Sequence, residues 1–110
     1  MNEELKISTT FIENRIFSIR NIQVMVDRDL AEMYQVPVKR LNEQVKRNID
    51  RFPASFRFQL TSEEKNELVA NCDRFENIKH SSTQPFAFTE QAVAMLSAVL
   101  RSDIAVQVSI

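Results

Sequence analysis

The chain has 110 residues, 14 Lys and Arg against 15 Asp and Glu, 44% hydrophobic residues and no glycine. This is one domain's length, and without Gly the phosphate-cradling loops of dinucleotide, Walker and kinase sites are excluded, because each needs Gly where the backbone approaches phosphate. One Cys, Cys72, and one His, His80, exclude a Cys/His zinc site and a disulfide within the chain.

No apolar run reaches the roughly 18 residues of a membrane span, and the start MNEELK does not read as a secretion signal. The expectation is a cytoplasmic protein with no membrane contact, no cofactor and a reduced Cys72. Residues 1–10 are polar apart from Leu5 and Ile7 and are expected to be flexible. Ile16–Ile19 and Ile22–Val26 are β-branched runs around Arg20-Asn21. Asn tolerates a left-handed turn, so a hairpin is predicted. Asp27 opens a helix, capping the amides of Asp29 and Leu30, with Asp29 and Glu32 toward the positive end of its dipole. Gln35-Val36-Pro37 breaks that helix, and Pro37 suits the first turn of another running to about Asp50. In it Val38, Leu41, Val45 and Ile49 form one apolar stripe. Pro53 ends the helix by Arg51.

Phe56 to Leu60 alternates as a strand burying Phe56, Phe58 and Leu60. Thr61 with Glu64 is a capping-box pattern for a helix to about Cys72. Asp73 to Gln84 is polar and predicted to be a loop. Phe86 to Phe88 is a second strand, placed to pair with the first, and Thr89 caps a long helix through about Arg101 with almost no polar face. From Asp103 the pattern fits two readings. Ile104, Val106, Val108 and Ile110 alternate as in a strand, while Ile104 and Val108 also fit a helix. The abrupt apolar end suggests a chain cut before a further C-terminal domain. The whole reads as a single α+β domain over 1–110, with a small antiparallel sheet, a helix-turn-helix-like pair and further packed helices.

The charge is segregated. Residues 15–57 hold nine Lys or Arg against five Asp or Glu, and residues 58–110 hold four against seven. With Leu41 at 0° on its helix, Lys39, Lys46, Arg47 and Arg40 fall between about 140° and 260°, opposite the apolar stripe. Glu43 and Asp50 lie among them, Asn42, Gln44 and Asn48 on the flanks, and Arg51 and Arg57 extend the region. Arg and Lys neutralise phosphates, and Asn and Gln can read adenine edges. The same spacing has a plainer reading. Lys39, Glu43 and Arg47, and Lys46 with Asp50, are four apart, as in any solvated helix held by charge ladders.

The run VMVDRDLAEMYQVPVKRLNEQVKRNIDRFPASFRFQLTSEE, Val24 to Glu64, resembles the phage ORF-six amino-terminal domain of the KilA-N group. PFAFTEQAVAMLSAVLRSD, Pro85 to Asp103, is similar to that family's second signature, shared loosely with the Bro-N domain. The chain departs from the usual Gly at Gln35 and Ala92. The resemblance implies a helix beyond Asp103, and a small α+β DNA-binding module of phage or prophage regulators, joined to a variable C-terminal domain.

The expected function is therefore duplex DNA binding in transcriptional or phage-lifecycle regulation. Lys39, Arg40, Lys46, Arg47, Arg51 and Arg57 are assigned to phosphates, and Asn42, Gln44 and Asn48 to base edges. The alternative is a protein-interaction module that binds a repressor, antirepressor-fashion, or a second copy in a homodimer through the apolar 89–101 helix. No nucleophile–base pair is visible, so an enzyme is not expected. His80, Cys72 and the acids Glu63, Glu64 and Glu67 read as structural; Arg74 and Lys79, the cations nearest Cys72 in sequence, form no clear thiolate site.

Overall fold

Val24, Met25 and Val26 are consecutive buried residues, as are Ala87 and Phe88. Pleating sends neighbouring side chains to opposite faces, so strand segments with consecutive buried apolar residues need cover on both sides. The structure is a computed structural model that describes residues 9–109, with side chains from 10 to 101. Helix α1 (Thr9–Glu13) precedes strands β1 (Phe17–Ile19) and β2 (Ile22–Val26), which are followed by helices α2 (Asp27–Tyr34) and α3 (Val38–Arg47). Strand β3 (Arg57–Gln59), helix α4 (Ser62–Asn71), strand β4 (Phe86–Thr89) and helix α5 (Glu90–Ser109) complete the order. The strands form one antiparallel sheet in the order β1-β2-β4-β3, with Met25 opposite Phe88 and Arg57 opposite Phe88 on the other side.

Two apolar layers sandwich this sheet. Met25 and Phe88 join Leu30 and Ala31 of α2, Leu41 and Val45 of α3, Phe52, and Ala92, Leu96, Val99 and Leu100 of α5. Val24, Val26 and Ala87 join Leu60, Leu68 and Val69 of α4, and Phe75 and Ile78. Tyr34 hydrogen-bonds Ser97, tying α2 to α5. The architecture is α+β, as the sequence indicates, with the strand around Phe58 paired to that around Phe88.

Local signals account for the turns. Arg20 and Asn21 both have positive φ, 57° and 63°, giving the tight primed turn whose twist matches a hairpin. Arg20 takes up this disfavoured geometry while its guanidinium pairs with Glu64 at 2.9 Å and lies over the Phe58 ring at 4.2 Å. The Thr61–Glu64 capping box is complete, with Glu64 N donating to Thr61 Oγ1 at 3.1 Å and Thr61 N to Glu64 Oε1 at 2.8 Å. The arginine and the amide of Thr61 together hold the Glu64 carboxyl down to about 2.

Gln35 closes α2 in the left-handed conformation, φ 57° and ψ 45°, and the Val36 amide reaches back to Ala31 O at 3.0 Å. Glycine carries no Cβ penalty there. Gln35→Gly is expected to raise stability by about 1 kcal/mol, read as a higher urea midpoint; an unchanged or lower midpoint would contradict the strain assigned to this turn.

Three sequence expectations are corrected. Asp27 does not cap α2; Val26 is the N-cap residue, and the Asp27 carboxylate turns to partners elsewhere in the chain. Helix α3 stops at Arg47 and a 3-10 turn follows over Ile49–Arg51, because the Asn48 side chain donates to Gln44 O at 2.9 Å and closes the last turn. Ile49 therefore leaves the apolar stripe and is 50% exposed. The polar stretch from Asp73 contains a 3-10 helix, Asp73–Ile78, whose Phe75 and Ile78 are buried. Of residues 1–10, expected to be flexible, Thr9 and Thr10 belong to α1 and residues 1–8 lie outside the described residues. Helix α5 continues through residues 103–109, in line with the helical alternative there.

Candidate nucleic-acid interface

Helices α2 and α3, joined by the left-handed Gln35 turn and Pro37, form the expected helix-turn-helix-like pair. The inner side of α3 is fixed by Leu41 and Val45, both with no exposure, packed in the layer that includes Leu30, Phe52 and Leu96. Its opposite side carries exposed Lys39, Glu43, Lys46 and Arg47, and Arg51 is exposed in the 3-10 turn beyond. Among the described residues, Lys39, Lys46, Arg47 and Arg51 have no ion-pair partner. The i, i+4 ladder of an ordinary solvated helix thus does not close. Lys46 and Asp50 are no longer one helical turn apart, since α3 ends between them. Lys46 and Arg47 also occupy the last turn of α3, where the negative end of the helix dipole favours cations.

The other two cations assigned to phosphate are placed differently. Arg40 is half-buried and partnered. Arg57 is half-buried, its guanidinium 3.6 Å above the Phe86 ring and 3.5 Å from Asn42 Oδ1. Burial pulls the Arg57 guanidinium below its ordinary range, opposed by the nearby Asp27 charge.

None of the three amide side chains assigned to base edges is on the outward face. Asn42 donates to the buried Asp27 Oδ2 at 3.0 Å while its oxygen faces Arg57. Gln44 is buried. Asn48 closes the end of α3. The wheel held the signal for two of them, since Gln44 and Asn48 fall at about 300° and 340°, on the side of Leu41 rather than of the cations.

Asp27 is what the sequence reading missed. Its carboxylate, 3% exposed, accepts from Asn42 of α3 and from the Phe86 amide of β4 at 3.3 Å. Burial pushes this carboxyl up, against the hydrogen bonds from Asn42 and Phe86 that pull it down. The group pins α3 to the sheet and so sets where the cation face stands. Asp29 plays a comparable part on the far side of α2, receiving both Arg74 Nε at 3.1 Å and Nη2 at 2.9 Å. Arg74 also donates to Cys72 Sγ at 2.9 Å.

Two surface depressions lie away from α3. One, about 380 Å³, is lined by Arg20, Asn21, Glu64, Glu67 and Asn71 among others. The other, about 350 Å³, is mostly apolar and lined by Ile12, Ile16, Met25, Val93 and Ala94 among others. Among the described residues, no three His, Cys, Asp or Glu side chains are grouped to hold a metal ion, and no helix is long and apolar enough to cross a membrane.

A small antiparallel sheet with a helix-turn-helix-like pair docked on it, one helix presenting cations outward, defines the class. Residues 14–99 match the ORF6N domain, and the chain belongs to this family. The match runs from the foot of β1 to the middle of α5 and contains the whole α2–α3 pair. Neither the curated proteins nor the solved structures contain a match to the chain.

Proposed function

We propose that this ORF6N domain is a duplex DNA-binding module of a phage or prophage-derived regulator, acting in the cytoplasm without catalytic activity of its own. The observation that carries the reading is the set of four exposed cations, Lys39, Lys46, Arg47 and Arg51, with no ion-pair partner among the described residues. Four unpaired charges along one helix and its following turn match a row of phosphates better than they match a solvated ladder, in which acids would hold them. Arg57, stacked on Phe86 and facing Asn42, serves here to hold β3 against α3, with Arg40 able to add to the field. The wider grouping with KilA-N domains, and the likeness of Pro85–Asp103 to Bro-N, fit the same reading.

Binding of a mixed-sequence duplex, followed by fluorescence anisotropy, is the test. With about four phosphates neutralised, log affinity should fall against log salt with a slope near −3.6, or about 150-fold from 50 to 200 mM. A flat titration would remove the electrostatic contact on which the reading stands.

A second reading, a protein-interaction module that binds a repressor or a second copy, is favoured by the mostly apolar depression beside α5. It expects association with protein and no shift of random duplex at any salt.

A further inference from the structure

Three large apolar residues are exposed among the described residues: Ile16, Ile22 and Ile49. Ile16 lines the apolar depression, and Ile22 begins β2 beside the hairpin turn. Ile49 is the most exposed of the three, at 50%, and stands apart from both. It lies between Lys46 and Arg47 on one side and Arg51 on the other, all exposed. In helical or 3-10 trace residues 46–51 span only about 10 Å, so the isoleucine stands close to these cations, with the exposed Asp50 next to it.

Its exposure is built in. An uninterrupted α3 would have carried Ile49 inward in line with Leu41 and Val45. Instead Asn48 leaves helical geometry, at φ −116° and ψ 33°, and its side chain locks onto Gln44 O. The 3-10 turn that follows gives Ile49 a new direction, into solvent. A single exposed apolar side chain is ordinary on a protein surface. One turned outward after a side-chain lock, close to exposed cations that have no ion-pair partner among the described residues, has a matching surface in duplex DNA. Phosphates line the two edges of the major groove, and between them the only apolar group on the base edges is the thymine C5 methyl.

Resting on the DNA-binding reading above, we propose that Ile49 is a specificity-determining contact, packing against thymine methyl groups while Lys46, Arg47 and Arg51 hold the flanking phosphates. The amides first assigned to the bases are directed elsewhere, so the base-reading role on this face falls to an apolar side chain. The preference that follows is for thymine-containing steps.

The test compares two alternating A·T duplexes, one with thymine and one with uracil in its place, which removes only the methyl. The wild-type domain is expected to bind the thymine duplex about fourfold more tightly for each methyl it covers. Ile49→Ala should bind both duplexes equally, with the salt slope of the wild type, and Ile49→Val should keep part of the preference. Because Ile49 is half exposed, thermal unfolding of the alanine variant should match the wild type. Equal binding of the two duplexes by the wild type would overturn the proposal, as would a thymine preference that survives in Ile49→Ala. Binding with the expected salt slope but no methyl preference leaves the DNA-binding reading standing and removes this one; no binding to either duplex removes both.

Discussion

The paired variant Lys46→Ala, Arg47→Ala is expected to bind duplex DNA with about half the salt dependence of the wild type, a slope near −1.8 in place of −3.6. If the two proteins converge near 1 M salt, this corresponds to about a 60-fold loss of affinity at 0.1 M. These two cations are the informative pair because little else depends on them. Both are exposed, both follow the last buried residue of α3, and neither has an ion-pair partner among the described residues. Their removal forfeits only a favourable placement at the helix C-terminus, a few tenths of a kcal/mol each at an exposed site. Substituting Arg57 would be harder to read, since its guanidinium is stacked on Phe86 and faces Asn42. An unchanged slope in the paired variant, with normal unfolding, would clear the outer face of α3 of any part in binding.

The largest effect on stability is expected at Phe88. It has no solvent exposure, sits in the inner strand β4 between Met25 of β2 and Arg57 of β3, and meets Phe52 edge-on with ring centroids 6.2 Å apart. Phe88→Ala would empty the point where the sheet touches the α2–α3–α5 layer, and is expected to lose about 3–5 kcal/mol. A domain of this size has only about 5–15 kcal/mol in total, so the variant should be close to unfolding at moderate temperature. Urea unfolding measures this directly. The midpoint should fall while the slope of the transition stays put, because the area exposed on unfolding hardly changes. A loss under about 1 kcal/mol would mean that the site collapses around the missing ring, against the general cost of such cavities.

What could be read from the sequence was what is encoded within a few residues. The capping box needs only Thr61 and Glu64, and both bonds are present. The hairpin follows from two β-branched runs and a turn pair, although only Asn21 is of a residue type that favours the left-handed geometry, which Arg20 shares. The outward placement of Lys39, Lys46 and Arg47 follows from helical phase as long as the helix lasts. Phase fails at Asn48, where a short polar side chain competes for a backbone carbonyl, and this one event moves Ile49 from core to surface. Asp27 escapes a local reading for a different reason. A cap is the common use of an aspartate at a helix start, but this one is bonded to residues 15 and 59 positions away, Asn42 and Phe86. Phe75 and Ile78 are spaced as a helical face, but their polar neighbours hide the pattern, and only the sheet above them explains their burial. What Asn42 and Asn48 can recognise is written in their side chains, whereas their orientation is set by a distant carboxylate for Asn42 and a carbonyl one turn back for Asn48.

The strand order has a consequence for biosynthesis. β4, which lies between β2 and β3, is the last strand to be made, and neither neighbour pairs with the other. A nascent polypeptide halted before Phe86 would hold the whole α2–α3 pair but would lack the inner strand, leaving β2 and β3 without a common partner. Closure of the domain therefore waits for nearly all of the ORF6N segment to leave the ribosome, and the cation face takes its final geometry only then.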